Sequence, residues 1–161
     1  MDQAGTGAER GQQPQTGTGE ASHSADRNGG RPLRVLIVED EAITALHLEL
    51  LVADLGYDVC AVESTGEGAV AAARLHRPDL VLMDIRLAGA LDGIAAASRI
   101  RQDLGIPSML LTAYSDPGTQ ARVQTCDSLG LLPKPYTVQQ VERMLSQATT
   151  ILQGNTGGAF G

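Results

Sequence analysis

The stretch DLVLMDIRLAG, residues 79 to 89, runs four apolar side chains, Leu80 to Met83, straight into Asp84. A short apolar run of this kind reads as a buried strand. A carboxylate placed where such a strand reaches the surface either caps the next turn or does chemistry, and the neighbouring segments decide between the two.

Working outward, the pattern alternates. LRVLIV (33–38) is short, apolar and rich in β-formers, and reads as a first strand. From Ala42 to Leu55 the residues Ile43, Leu46, Leu50, Val52 and Leu55 recur near helical spacing, and Gly56 stops the helix. YDVCAV (57–62) is a second strand, Gly66 to His76 an alanine-rich helix, and DLVLM (79–83) the third strand. Helices from Gly93 to Leu104 and from Pro117 to Cys126 enclose a strand at PSMLL (107–111). LGLLP (129–133) and a helix from Thr137 to about Leu152 complete the series. Five strand–helix units predict an α/β fold, a doubly wound five-stranded parallel sheet with helices on both faces.

Residues 1–32 hold little to bury beyond alanine and are expected to form a disordered tail, with His23 solvated inside it; residues 153–161 read as a second flexible tail. The folded unit is thus placed at 33–152. A net charge of −7 across the 161 residues argues against a nucleic-acid partner, which needs clustered Lys and Arg. No apolar run approaches the roughly 18–20 residues of a membrane helix, and the N-terminus lacks a signal pattern, so a cytoplasmic protein with no membrane partner is expected. Cys60 and Cys126 lack metal-ligand spacing and are expected to be buried free thiols.

In a doubly wound sheet, ligands gather beyond the carboxyl ends of the strands. At those ends stand Glu39, Asp40 and Glu41 after the first strand, Asp84 after the third, Thr112 after the fourth and Lys134 after the fifth. Glu63 and Ser64, after the second, read as loop residues. Clustered carboxylates repel one another unless a cation sits among them, and an oxygen-only set suits Mg²⁺. An aspartate beside the metal can act as a nucleophile toward phosphorus, with a lysine and a hydroxyl neutralising charge. Singly, each residue has an ordinary explanation: a helix N-terminus for Asp40 and Glu41, a solvated loop for Lys134, a strand end for Thr112. Four strands converging on one edge are much harder to explain that way.

VLIVEDE, VLMDIRL, LLTAYSD and PKPY, in that order, resemble the receiver domains of bacterial two-component response regulators. The intervals agree with that family: 44 residues from Asp40 to Asp84 and 22 from Thr112 to Lys134. The resemblance implies a CheY-like fold in which Asp84 accepts a phosphoryl group from a sensor histidine kinase or a phosphotransfer protein. Asp40 and Asp84 would bind Mg²⁺ directly, together with the backbone carbonyl of Arg86, and Glu39 would act mostly through water. Thr112 would hydrogen-bond the phosphoryl oxygens, Lys134 would pair with them, and the Lys134–Pro135 bond would be cis.

The sequence departs from the family's usual pattern at several places. The loop IRLAGALDG lacks the proline usual at Ala88 and reaches Asp-Gly one residue late, which leaves its shape open and the segment up to Thr112 short. Leu131 stands where many members carry an aromatic switch, and Tyr136 where phenylalanine is common. Arg86 and Tyr114, two places beyond Asp84 and Thr112, would border the path of a hydrolytic water. The favoured reading is a stand-alone single-domain regulator that signals by phosphorylation-dependent protein binding. Leu131, with Tyr136 and Tyr114, would belong to the surface offered to a downstream protein partner or, as a homodimer, a second copy. A phosphate sink and a degenerate receiver that binds partners unphosphorylated remain as alternatives. A haloacid-dehalogenase-like phosphohydrolase is more remote, because that class needs a second aspartate where Arg86 stands.

Overall fold

The computed structural model describes residues 31–113 and 116–154. Its elements, in chain order, are β1 (Arg34–Val38), α1 (Ala42–Asp54), β2 (Asp58–Glu63), α2 (Gly66–His76), β3 (Leu80–Asp84), α3 (Gly93–Leu104), β4 (Ser108–Thr112), α4 (Pro117–Thr125), β5 (Gly130–Pro133) and α5 (Val138–Gly154). The five strands form one parallel sheet in the order β2-β1-β3-β4-β5. All strands therefore point the same way, and their carboxyl ends share one edge. The strand order reverses direction at β1 and β3, which places the ligand crevice beside these two strands.

Continuous apolar character in β1, β3 and β4 follows from burial on both faces. On one face, Leu36, Val81, Met83 and Leu110 pack against Ala69, Ala73, Ala97 and Ile100 of α2 and α3. On the other, Ile37, Leu80, Leu82 and Leu111 pack against Leu48 and Val52 of α1 and Val141 and Leu145 of α5. Thr65, Asp92 and Asp116 start α2, α3 and α4 as N-caps, their side chains accepting hydrogen bonds from the backbone N–H of Gly68, Ala95 and Thr119. α3 ends on Gly105 in the left-handed conformation, φ +71°, as a C-terminal glycine should.

Four details differ from the sequence expectation. The core face of α1 is Ala45, Leu48 and Val52, whereas Ile43, Leu46 and Leu50 lie on the outer face; the two stripes share the helical period, which alone cannot tell inside from outside. Glu63 closes β2 in register with Val38 and is not a loop residue. α5 runs through Gln153 and Gly154, and Arg31 already belongs to the folded unit through its ion pair with Asp79. Both cysteines are free but only half-buried, Cys126 lying against the Ser98 hydroxyl. Residues 1–30, with His23, and 155–161 lie outside the described residues. Among the described residues no helix is long and apolar enough to cross a membrane.

α4 is packed differently from its neighbours: none of its side chains is fully buried. Its attachments to α3 include Arg122–Asp92 at 2.7 Å, and just beyond its end Asp127 pairs with Arg101 at 3.0 Å. Val123 and Cys126 add apolar contact with the α2–α3 side of the core.

The two stripes of α1 make opposite predictions. Leu48→Ala, at a site 1% exposed, should cost about 2–5 kcal/mol through lost burial and the cavity left behind. Ile43→Ala, at a site 80% exposed, should stay within about 0.5 kcal/mol of the parent. Urea unfolding followed by circular dichroism measures both.

Candidate functional site

Each acidic residue is delivered to the common edge by the strand before it. Glu39 follows β1 and is fixed by its own backbone N–H, which donates to the Glu63 carbonyl at 2.9 Å. Asp84 ends β3, and the next peptide is held to β4 by Ile85 N–H donating to the Leu111 carbonyl at 3.0 Å. Glu39 and Asp84 are buried, Asp40 beside them is exposed, and carboxylate oxygens of all three lie within 4.8 Å of one another.

Lys134 holds this cluster together. Its ammonium donates to Glu39 Oε2 at 2.7 Å and to Asp84 Oδ2 at 2.8 Å. The other oxygen of Asp84 accepts the backbone N–H of Arg86 at 3.1 Å, so both carboxylate oxygens are engaged. Lys134 reaches this position because β5 pairs with β4 in a register opposing Thr112 to Pro133, and Lys134 N–H donates to the Thr112 carbonyl at 2.6 Å. The Lys134–Pro135 peptide is cis. Thr112 is buried at the end of β4, on the same edge.

Burial dominates the electrostatics. Desolvation pushes the Glu39 carboxyl up to about 7; the Lys134 ammonium pulls against it, while the neighbouring Asp84 adds to the rise. For Lys134, burial favours the neutral amine, but hydrogen bonds to Asp84 and Glu39 outweigh it and leave the pKa raised above that of an ordinary lysine. Burial likewise raises the Tyr136 phenol.

The structure thus brings together Glu39, Asp40, Asp84, Thr112 and Lys134, with Arg86 joined to the cluster through its backbone. Tyr136 is half-buried against the α1–α5 core and shares a groove with Thr44, His47, Ala113, Lys134 and Pro135 beside the cluster. Leu131 is set apart: it is 41% exposed on β5 and lies between one groove toward α4 and another toward α5. Tyr114 falls outside the described residues. Two features were missed in the sequence. One is the groove containing His47, which requires α1 and the β5–α5 turn to be placed side by side. The other is Glu67 at the start of α2, whose carboxylate accepts the backbone N–H of Leu91 in the loop after Asp84. No local motif marks either.

The chain that builds this site is similar in sequence and fold to known proteins. Residues 35–146 match the response regulator receiver domain family. The transcriptional regulatory protein PdtaR of Mycobacterium tuberculosis is 35% identical over 118 residues, a match covering 73% of this chain and 57% of that protein. The chain therefore spans little more than half of that relative. Among solved structures, the receiver domain of a modulated diguanylate cyclase from Desulfovibrio desulfuricans G20 superposes with a TM-score of 0.72 at 35% identity, covering 77% of this chain and 98% of that one. The receiver domain of a sensor histidine kinase from Pseudomonas aeruginosa PAO1, solved with magnesium in its active-site cleft, gives a TM-score of 0.67 at 30% identity, covering 73% and 98%. The match extends over most of the folded chain, and on this ground the protein belongs to the response regulator receiver domain family.

Proposed function

We propose that this chain is a phosphoacceptor: Asp84 takes a phosphoryl group from a histidine kinase or phosphotransfer protein, and the phosphorylated form signals by binding a protein partner. The observation that carries the reading is the Lys134 ammonium bridging Glu39 and Asp84 beside an exposed Asp40. A merely structural ion pair would not need three carboxylates crowded within 4.8 Å at the mouth of the crevice.

The donor set fits Mg²⁺: hard oxygens, excess negative charge, and one open, solvent-facing ligand in Asp40. Asp40 and Asp84 would hold the ion with the Arg86 carbonyl, and Glu39 through water. Bound there, Mg²⁺ would supply charge neutralisation for the transferring phosphoryl group. The relative from Pseudomonas aeruginosa, with magnesium in its cleft, supports this assignment. The chain's own residues then do the following. An oxygen of Asp84 attacks phosphorus; the new O–P bond forms as the donor's N–P bond breaks, and the electron pair stays on the donor imidazole, which takes up a proton. Lys134 already lies against Asp84 Oδ2 and stays close enough to pair with a phosphoryl oxygen. Thr112 supplies a hydroxyl donor from the adjacent strand. Little reorganisation is needed, because β3, β4 and β5 fix these groups before the donor arrives.

Two surfaces flank the site. The outer face of α1, with Ile43 and Leu46, adjoins the groove of Thr44, His47 and Tyr136 and would seat the donor. Leu131, across the sheet edge between α4 and α5, would serve the output partner or a second copy of the chain. Lacking a ring, it offers nothing to rotate inward, so the response would reach this surface through Thr112 and α4.

Substitutions at four positions test the reading. Asp84→Asn should lower phosphoryl uptake from acetyl phosphate by more than about a hundredfold while leaving the circular dichroism spectrum unchanged; substantial labelling of the variant, read by intact-mass spectrometry, would sink the assignment. Glu39 makes metal binding pH-dependent. With its carboxyl raised to about 7, a proton must leave before the site is fully charged, so Mg²⁺ affinity should climb between pH 6 and pH 8, and Glu39→Gln should flatten the climb in calorimetric titrations. The same shift lowers the stability of the metal-free fold as pH rises from about 4.5 to about 7, the range over which the folded chain binds the extra proton. Finally, Ile43→Asp should slow transfer from a phosphorylated donor protein but not from acetyl phosphate. Leu131→Ala should leave both rates intact and weaken association in the presence of beryllofluoride, measured by sedimentation.

A further inference from the structure

The loop joining β3 to α3, residues 85–92, does not hang free. At its base, Gly93 N–H donates to the Ile85 carbonyl at 2.9 Å, and Gly93 lies so close to the Asp84 carbonyl that any Cβ there would collide with it. At its start, Arg86 N–H donates to Asp84 Oδ1. Its far side rests on the first turn of α2. Thr65 and Ala88 form an isolated parallel bridge, and Leu91 N–H donates to Glu67 Oε1 at 3.2 Å. Gly89 has φ +101°, and a Cβ on it would stand 3.3 Å from Glu67 Oε2. The Cα of Gly66 is pressed against the Leu91 carbonyl, leaving no room for a side chain.

The platform under the loop is itself tied down. Thr65 is the N-cap of α2, its hydroxyl accepting from Gly68 N–H at 2.9 Å, so the residue that bridges to Ala88 is anchored to the first turn of the helix. Ordering a loop between two elements costs conformational entropy, and contacts from outside the loop help to offset it. Here Glu67 provides a side-chain contact to the loop's distal half. Arg86, whose backbone N–H holds the Asp84 carboxylate and whose carbonyl follows directly, sits in the proximal half of the same short segment.

We propose that Glu67 is a positioning residue: by latching residues 88–91 onto the start of α2 it fixes the register of the loop, and through Arg86 the orientation of Asp84 and of the carbonyl offered to a cation. The consequence for metal rests on the phosphoacceptor reading; the latch itself does not. A simpler role is open to the same carboxylate, since an acid in the first turn favours a helix through the dipole. Glutamine separates the two, because Glu67→Gln removes the charge but keeps an acceptor for Leu91 N–H.

The experiment compares the full chain with Glu67→Gln and Glu67→Ala by residue-resolved amide exchange without metal and by calorimetric titration with Mg²⁺ alone. The latch predicts roughly tenfold faster exchange at Leu91 in Glu67→Ala, near-parental exchange in Glu67→Gln, and a Mg²⁺ Kd weakened roughly three- to tenfold in the alanine variant only. Unchanged exchange in Glu67→Ala overturns the proposal, as does glutamine behaving like alanine, which would leave only the helix-dipole role. A loosened loop with an unchanged Mg²⁺ Kd overturns the positioning role. Should the parent itself show no Mg²⁺ affinity, the phosphoacceptor reading fails, while the exchange data still decide the latch.

Discussion

Glu39 and Asp84 are carboxylates buried side by side, an arrangement that would be costly if both were charged and unpaired. The Lys134 ammonium, bonded to one oxygen of each, makes it tolerable. Much of the architecture serves this bridge. A parallel sheet is needed so that β1, β3 and β5 all deliver their ends to one edge, and β5 needs its register on β4 to bring Lys134 there. The compensation is partial by design: Asp40 remains exposed and unmatched by the lysine, leaving the edge with an appetite for more positive charge.

The same arrangement explains why the site gathers residues so distant in sequence. Glu39 and Lys134 are 95 positions apart and are joined by strand order alone. Around the bridge, the two helical layers play unequal parts. α1 and α5 bury a continuous apolar seam against one face of the sheet, whereas on the other face α2 and α3 do this and α4 only leans on them.

Much of this was legible in the sequence. The apolar runs of β1, β3 and β4 are unambiguous because both faces of those strands are buried, and Asp84 stands out because it breaks such a run. Asp40, Thr112 and Lys134 were found because strand ends in a parallel sheet coincide in space. What could not be read depends on which way a stripe faces or on which turns meet. Ile43, Leu46 and Leu50 have the period of a core face yet point outward, since Ala45, Leu48 and Val52 share that period and win the contact with the sheet. Glu67 looks like any acid in a first helical turn; its second task exists only because the loop after Asp84 folds back over it. Glu63 reads as a loop residue in the sequence, yet its backbone carbonyl accepts the Glu39 N–H and closes β2 against β1.

The thin attachment of α4 has a further implication. An element without a fully buried side chain, held in part by ion pairs at the protein–water boundary, is expected to open at a free energy below that of global unfolding. α4 is therefore the helix of this fold expected to exchange most readily among conformers. A molecule that recognises α4 meets its competent conformer only for a fraction of the time, and its apparent affinity is divided down by that fraction. For an element packed this thinly, an energetic input of the order of a single hydrogen bond would be enough to change that fraction appreciably.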